Sequence, residues 1–135
     1  MHRPAAFLIA ALATVQAAQF DGVRALNYTR RAVEFGPRPP GSAALAKLRS
    51  FLISELKGIG CNVEVDNFTG RTPRGPIPMA NVIAIFPGNS GRVVAVSGHY
   101  DTKLMPEIRF VGANDGGSST GFLLELARVL AGRPR

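Results

Sequence analysis

The longest amphipathic pattern in the chain runs over residues 42–60, SAALAKLRSFLISELKGIG. Leucines recur there at a spacing of three or four residues, which places them on one helical face: Leu45, Leu48, Leu52 and Leu56. Ser42 is a preferred N-cap residue, and Gly58 and Gly60 favour helix termination. The pattern therefore predicts a helix over this segment.

Two further segments have helical spacing of apolar residues. In residues 20–35 the apolar positions are Phe20, Val23, Leu26 and Val33. Gly36 and Pro37 end that pattern, and the prolines of the following PRPPGS predict a rigid turn. In residues 119–132 the predicted stripe consists of Phe122, Leu123, Leu126, Val129 and Leu130, and Gly132 closes the helix.

Between the second and third helices the periodicity changes to that of strands. Residues 61–68 alternate between apolar and acidic positions, which predicts a half-buried or edge strand. The proline-rich and glycine-rich residues 69–79 predict a loop. Residues 81–86 (NVIAIF) and 92–97 (RVVAVS) are nearly continuous apolar runs, typical of central strands covered on both faces.

This order of elements predicts an α/β fold, a three-layer sandwich with a mixed, mostly parallel sheet. Three strands leave such a sheet exposed at an edge, so we expect the sheet to be incomplete in this chain. We predict that residues 19–135 are the N-terminal part of a larger α/β domain, or a domain completed by a second chain. The sequence contains no internal repeat.

The first residues predict export. Residues 1–18 combine a basic start with a short apolar run and small residues at a cleavage position, as in a signal peptide. A buried N-terminal helix is the alternative. The signal predicts a secreted or periplasmic protein, and no other segment is apolar enough to cross a membrane. Cys61 is the only cysteine, which excludes an intramolecular disulfide and a cysteine-based metal cluster.

The formal net charge of +7 does not point to a nucleic-acid partner. The basic residues are scattered, and they form no stripe interleaved with aromatic residues. We therefore expect a solvated basic surface and no binding to nucleic acid.

The candidate chemistry lies in residues 98–120, GHYDTKLMPEIRFVGANDGGSST. His99 and Asp101 follow a predicted strand and point to the same side of an extended segment, where the carboxylate can orient the imidazole. Asp115 precedes the last helix. An imidazole and a carboxylate on adjacent loops are suitable zinc ligands, although two ligands do not fill four positions. The residues alone leave open an ordinary surface histidine and an aspartate that only caps the helix.

Two other chemistries find no support in the residues. The glycine-rich loop lacks both nucleotide-binding signatures, and Asp101 and Asp115 would repel a phosphate. Ser97 lies in no GxSxG sequence, so a serine nucleophile is not indicated.

The order of motifs resembles the zinc aminopeptidase family that also contains the glutaminyl-peptide cyclotransferases, the family twenty-eight metallopeptidases. The similar stretches are FGPRPPGS, DNFTGRTPRGPIPMANVIA, GHYDTK, FVGANDGGSS and LLELARVL. The second of these stretches is closer to the cyclotransferase branch. The resemblance covers essentially the whole chain after the signal peptide.

The resemblance implies roles for three residues. Asp115 matches an aspartate that bridges two zinc ions in the aminopeptidases and binds the single zinc ion in the cyclotransferases. His99 matches a zinc ligand of the aminopeptidases, a histidine that is not a ligand in the cyclotransferases. Asp101 matches the aspartate that orients this histidine.

The resemblance also implies a function and indicates which catalytic residues this chain is expected to lack. It implies a secreted zinc enzyme that acts on peptide N-termini, by pyroglutamate formation as in the cyclotransferases or by hydrolysis as in the aminopeptidases. The family's catalytic glutamate and two further ligands lie beyond the last helix, and neither Glu107 nor Glu125 is placed to replace them. We therefore expect this chain to be inactive alone. An inactive truncated remnant is the non-enzyme alternative.

Overall fold

A computed structural model of the chain describes residues 18–133. Its elements are α1 (Gly22–Glu34), α2 (Ala43–Gly58), β1 (Asn62–Thr72), β2 (Gly75–Ile85) and α3 (Ser118–Ala131). The predicted signal peptide lies outside the described residues, except for its last residue. Among residues 18–133, no helix is both long and apolar enough to span a membrane.

The three predicted helices are confirmed, with small shifts at their ends. Ser42 caps α2 as predicted, because its hydroxyl accepts a hydrogen bond from the Leu45 N–H at 3.1 Å. The four leucines of the predicted stripe are all buried. In α1 the cap is Asp21, whose carboxylate accepts hydrogen bonds from the N–H groups of Val23 and Arg24.

The apolar stripes predicted for α1 and α3 do not coincide with the buried faces. Val23 is 68% exposed and Phe122 is 45% exposed. The two helices meet instead through small side chains, and a Cβ added at Gly121 would clash with Thr29 and the Ala25 carbonyl oxygen. Such a close crossing buries backbone and small residues, which a count of large apolar side chains does not reveal.

The sheet is a two-stranded antiparallel hairpin, with register from Asn62 opposite Ile85 to Thr72 opposite Gly75. The predicted loop over residues 69–79 is therefore wrong, since only residues 73 and 74 turn. Gly75, with φ of +96°, allows the tight reversal. The prolines are tolerated because a strand with one neighbour does not need every N–H in the ladder.

The second predicted strand, residues 81–86, forms part of β2, but residues 92–97 form no strand. Val93 and Val94 are 91% and 89% exposed. A strand needs a hydrogen-bonding neighbour, and the described residues provide none for this segment. An α/β chain with an incomplete sheet is confirmed, whereas the mostly parallel three-layer arrangement is not.

The core lies between the helices and the inner face of the hairpin. Leu48, Leu52 and Leu56 of α2 cluster with Ala32 of α1 and with Leu124 and Ala127 of α3. Side chains of both strands and of Tyr100 pack against this cluster. The segment that carries the candidate chemistry is thus attached to the core through Tyr100.

Candidate metal site

The three predicted site residues lie together, with the His99 ring between two carboxylates. Its Nδ1 is 3.1 Å from Asp101 Oδ1, and its Nε2 is 2.9 Å from Asp115 Oδ1. The His99 side chain is 54% exposed, so the site is open to solvent. Within residues 18–133, no group of three or more acidic, histidine or cysteine side chains has the arrangement of a metal cluster.

The segment around His99 is held by hydrogen bonds although it belongs to no strand. The Tyr100 hydroxyl donates to the Ala80 carbonyl in β2 at 2.6 Å. Thr102 and Arg38 are joined twice, because the Thr102 N–H donates to the Arg38 carbonyl and the Arg38 N–H donates to the Thr102 hydroxyl. Tyr100 thus points to the core while His99 and Asp101 face the other way, as predicted from the alternation of an extended segment.

Asp115 lies in a kinked turn, residues Ala113–Gly117, that leads into α3. Gly112 and Gly116 have φ of +52° and +85°. A Cβ at Gly116 would come within 2.5 Å of the Asp101 carbonyl oxygen and 3.2 Å of the His99 ring. Glycine is therefore required where this turn approaches the histidine segment, and that approach brings the Asp115 carboxylate to the imidazole.

The helix that follows adds a second attachment between the two segments. The Ser119 hydroxyl, in the first turn of α3, donates to the His99 carbonyl at 2.7 Å. A Cβ at Gly98 would come within 2.7 Å of Ser119 Cβ, so the backbone of the histidine segment passes directly against the helix. These contacts help to fix the position of His99 relative to Asp115.

Arg38 is a residue of this site that the sequence analysis missed. Its side chain is fully buried, and its guanidinium donates to the carbonyls of Tyr100, Val111 and Gly112. Burial lowers the pKa of Arg38, and the nearby charges of Asp101 and Asp115 act in the opposite direction. Arg38 lies inside the rigid, proline-rich turn GPRPP. This position was the one indication in the sequence that its side chain could be buried.

The ring nitrogen of His99 and the carboxylate oxygen of Asp115 are donor atoms of the types that bind a zinc ion. A neutral imidazole carries one N–H. When Nδ1 donates it to Asp101, the lone pair of Nε2 faces Asp115. Zinc binds imidazole nitrogen and carboxylate oxygen, usually through four ligands or three and a water. His99 and Asp115 would supply two of these.

The two glutamates judged unsuitable from the sequence lie as expected. Glu125 is fully buried, and its carboxylate accepts hydrogen bonds from the Asp21 N–H and from the Arg128 guanidinium. The guanidinium contact lowers the pKa of Glu125. Glu107 lies exposed in the loop between the two halves of the site. Glu125 therefore stabilises the contact between α3 and the N-terminal segment around Asp21.

The α/β chain thus contains a candidate zinc centre, in which an oriented imidazole faces a carboxylate at the start of a helix. Residues 81–135 match the family described as Peptidase family M28. A glutaminyl-peptide cyclotransferase-like protein from Bos taurus is 39% identical over 97 residues, which are 69% of this chain and 25% of that protein.

Solved structures extend the similarity over more of the chain. The glutaminyl cyclase of an Acidobacteriales bacterium is 38% identical with a TM-score of 0.78, over 91% of this chain and 43% of that one. A Zn-dependent exopeptidase from Parabacteroides distasonis is 33% identical with a TM-score of 0.74, over 86% of this chain and 43% of that one.

These similarities confirm the family predicted from the sequence: the chain corresponds to part of a peptidase family M28 protein. It spans about a quarter of the curated relative and less than half of the solved structures. The roles of His99, Asp101 and Asp115 stay predictions.

Proposed function

We propose that this chain contributes part of the active site of a zinc-dependent enzyme that acts on peptide N-termini, of the glutaminyl-peptide cyclotransferase type. The observation that carries the proposal is the His99 Nε2 atom facing the Asp115 carboxylate at 2.9 Å. Similarity to glutaminyl cyclase structures over 91% of the chain supports the same assignment. The proposal requires further ligands and an acid–base glutamate in addition to the residues of this chain.

The residues of this chain have distinct roles in the proposal. Asp115 would bind the ion, and His99 would bind it through Nε2 if the site is of the aminopeptidase type. In the tautomer in which Nδ1 donates to Asp101, the Nε2 lone pair is available to a metal ion. A bound zinc ion supplies Lewis-acid polarisation of the substrate carbonyl. The open face of the site leaves room for a peptide N-terminus.

An aminopeptidase is the second candidate, and one observation favours it. The Parabacteroides distasonis protein of similar fold is a Zn-dependent exopeptidase. In that case two zinc ions would share Asp115, and hydrolysis of the N-terminal residue would replace cyclisation.

The test uses the full-length protein with two site variants and one control. Asp115→Asn and His99→Gln each remove one proposed ligand, and Asp66→Asn changes an exposed hairpin carboxylate that accepts a hydrogen bond from Asn81. Zinc content is measured after dialysis, together with cyclisation of a glutaminyl peptide and release of N-terminal leucine. We expect Asp115→Asn to lose zinc and turnover, and Asp66→Asn to retain both.

Each result of that experiment assigns a function. Cyclisation with one zinc ion per protein supports the cyclotransferase, in which His99→Gln retains the metal. Leucine release with two zinc ions favours the aminopeptidase, in which His99→Gln loses one. A wild-type protein with neither zinc nor turnover contradicts both and favours an inactive remnant.

Two further proposals concern the whole protein. We propose that residues 92–97 become a strand of a larger, mostly parallel sheet when the remaining domain, or a second chain, is present. Amide protection of these residues in the full-length protein tests this. We also propose that residues 1–18 direct export and are cleaved, which N-terminal sequencing of the exported protein tests.

A further inference from the structure

The buried guanidinium of Arg38 is attached to both halves of the candidate site. Its Nε donates to the Tyr100 carbonyl at 2.9 Å, directly between His99 and Asp101 in sequence. Its Nη1 donates to the Val111 carbonyl at 2.6 Å and its Nη2 to the Gly112 carbonyl at 3.3 Å, where the turn that carries Asp115 begins. One planar group thus joins the histidine segment to the aspartate turn.

The backbone of Arg38 strengthens the same attachment. Its N–H donates to the Thr102 hydroxyl at 2.9 Å, and its carbonyl accepts the Thr102 N–H at 3.1 Å. Nη1 also donates to the Gly36 carbonyl at 3.2 Å, which ties the side chain to its own turn. The proline-flanked turn is stiff, so the backbone from which the guanidinium extends is restrained.

The charge of Arg38 is costly to bury unless something offsets it. Its guanidinium donates to neutral carbonyls, while Asp101 and Asp115 act on it electrostatically from nearby. Arg38 is fully buried, so it does not reach a substrate from this position. The side chain instead combines a rigid fork, which spans several carbonyls, with a positive charge near the carboxylates on either side of His99.

We infer that Arg38 is a positioning residue that holds the Asp115 turn against the histidine segment and thereby sets the zinc affinity of the site. The inference rests on the proposed function, because zinc affinity has meaning only if the site binds zinc. It makes a separate claim about geometry, namely that the distance between the imidazole and the carboxylate depends on the guanidinium.

The test compares two substitutions of Arg38 with two controls in the full-length protein. Arg38→Lys keeps the charge but lacks the planar fork, and Arg38→Met removes both. Leu52→Ala weakens the core in α2 and is the control for a general loss of stability. Arg31→Met removes an exposed arginine of α1 and is the control for the loss of a positive charge. Zinc affinity is measured with zinc alone by competition with a chelator, and melting temperature is measured in parallel.

We expect Arg38→Met to lower zinc affinity by about 10–100-fold, the usual effect of removing a group that orients metal ligands. Arg38→Lys should recover only part of this, and Arg31→Met should stay within about twofold. Leu52→Ala should lower the melting temperature as much as Arg38→Lys does and leave zinc affinity nearly unchanged. If Leu52→Ala and Arg38→Lys lose zinc equally at equal melting temperature, Arg38 is only structural and the inference is overturned.

A crystal structure of Arg38→Lys separates this inference from the proposed function. If the wild-type protein binds no zinc, the proposed function fails, and the distance from His99 Nε2 to Asp115 Oδ1 still decides whether Arg38 sets the geometry. An increase from 2.9 Å by more than the coordinate error supports positioning. An unchanged distance together with unchanged affinity overturns it.

Discussion

Two consecutive segments of the chain, residues 92–97 and 98–102, both lie outside any helix or strand, yet they differ completely in how they are held. The first is rich in valine and exposed, with Val94 at 89%. The second is polar and fixed by hydrogen bonds from Arg38 to Tyr100 and Thr102 and from Ser119 to His99. The more apolar segment is therefore the less anchored one.

The difference shows that hydrophobicity alone does not place a strand. An apolar run gains free energy only when another surface covers it, and the described residues offer no such surface to residues 92–97. Specific polar partners can instead hold a segment that has no sheet neighbour. Such partners must all be present together, because each buried donor or acceptor left unpaired is costly. The candidate site is built in this second way.

The largest effect should come from the core, against which Tyr100 of the second segment packs. Leu48→Ala removes a fully buried side chain and should lower the free energy of unfolding by about 2–5 kcal/mol. Val94→Ala in the exposed segment should change it by less than about 0.5 kcal/mol. Urea unfolding of the 135-residue chain measures both. Equal losses would mean that residues 92–97 are covered in solution.

The same contrast explains what could be predicted from the sequence. The leucine stripe of α2 and its Ser42 cap were predictable because both depend on residues close in sequence. His99, Asp101 and Asp115 could be grouped because Asp115 precedes α3 and the other two follow an apolar run that was predicted to be a strand. The hairpin was missed because its prolines indicate a loop unless the strand is known to have a free side. Arg38 was missed because its partners lie 62 to 74 residues away.

Substitution of Gly116 tests how closely the two halves of the site must approach. Gly116→Ala should lose about 1–2 kcal/mol of stability from its positive φ, and about 1–3 kcal/mol more from contact with Asp101 and His99. Gly75→Ala is the matched control, because Gly75 also has positive φ but no atom within 4 Å of an added Cβ. Urea unfolding of both variants isolates the contact. The close approach is unimportant if the two losses are the same.

The contacts between the N-terminal residues 19–21 and α3 allow a test of whether polar partners also hold another part of the chain that belongs to no helix or strand. Glu125 accepts a hydrogen bond from the Asp21 N–H at 2.8 Å, and Arg128 donates to the Gln19 carbonyl at 2.6 Å. Glu125→Gln should lower stability at neutral pH by about 1.5–3 kcal/mol, the range for hydrogen bonds to charged groups. Glu34→Gln, in an exposed ion pair with Arg31, should cost less than about 1 kcal/mol.

The pH dependence of that effect has a definite sign. The Arg128 guanidinium holds the pKa of Glu125 below its ordinary value of 4.5 in the folded chain. The carboxylate therefore stabilises the fold above its unfolded pKa, and this contribution is lost as the pH falls through the lower folded pKa. Melting temperatures of wild type and Glu125→Gln should converge as the pH is lowered through this range. A difference that is independent of pH would show that the charge of Glu125 is not involved.

The smallest effect concerns the bond that ties the histidine segment to the sheet. The Tyr100 hydroxyl donates to the Ala80 carbonyl at 2.6 Å, and Tyr100→Phe should cost about 1 kcal/mol. Tyr28→Phe is the control, because burial and the nearby Glu55 on α2 raise the pKa of the Tyr28 hydroxyl, which does not lie near that segment. Hydrogen exchange at the Thr102 amide, which donates to the Arg38 carbonyl, reports local opening.

The two tyrosine variants should have similar global stability and different local exchange. Tyr100→Phe frees one attachment of the histidine segment, so the Thr102 amide should exchange faster relative to amides of α2. Tyr28→Phe should leave that ratio as in wild type. If both variants change the ratio equally, the segment opens only with the whole fold and its own hydrogen bonds do not define a separate unit. If only Tyr100→Phe does so, the site segment is held by individual polar contacts, in contrast to the valine segment that precedes it.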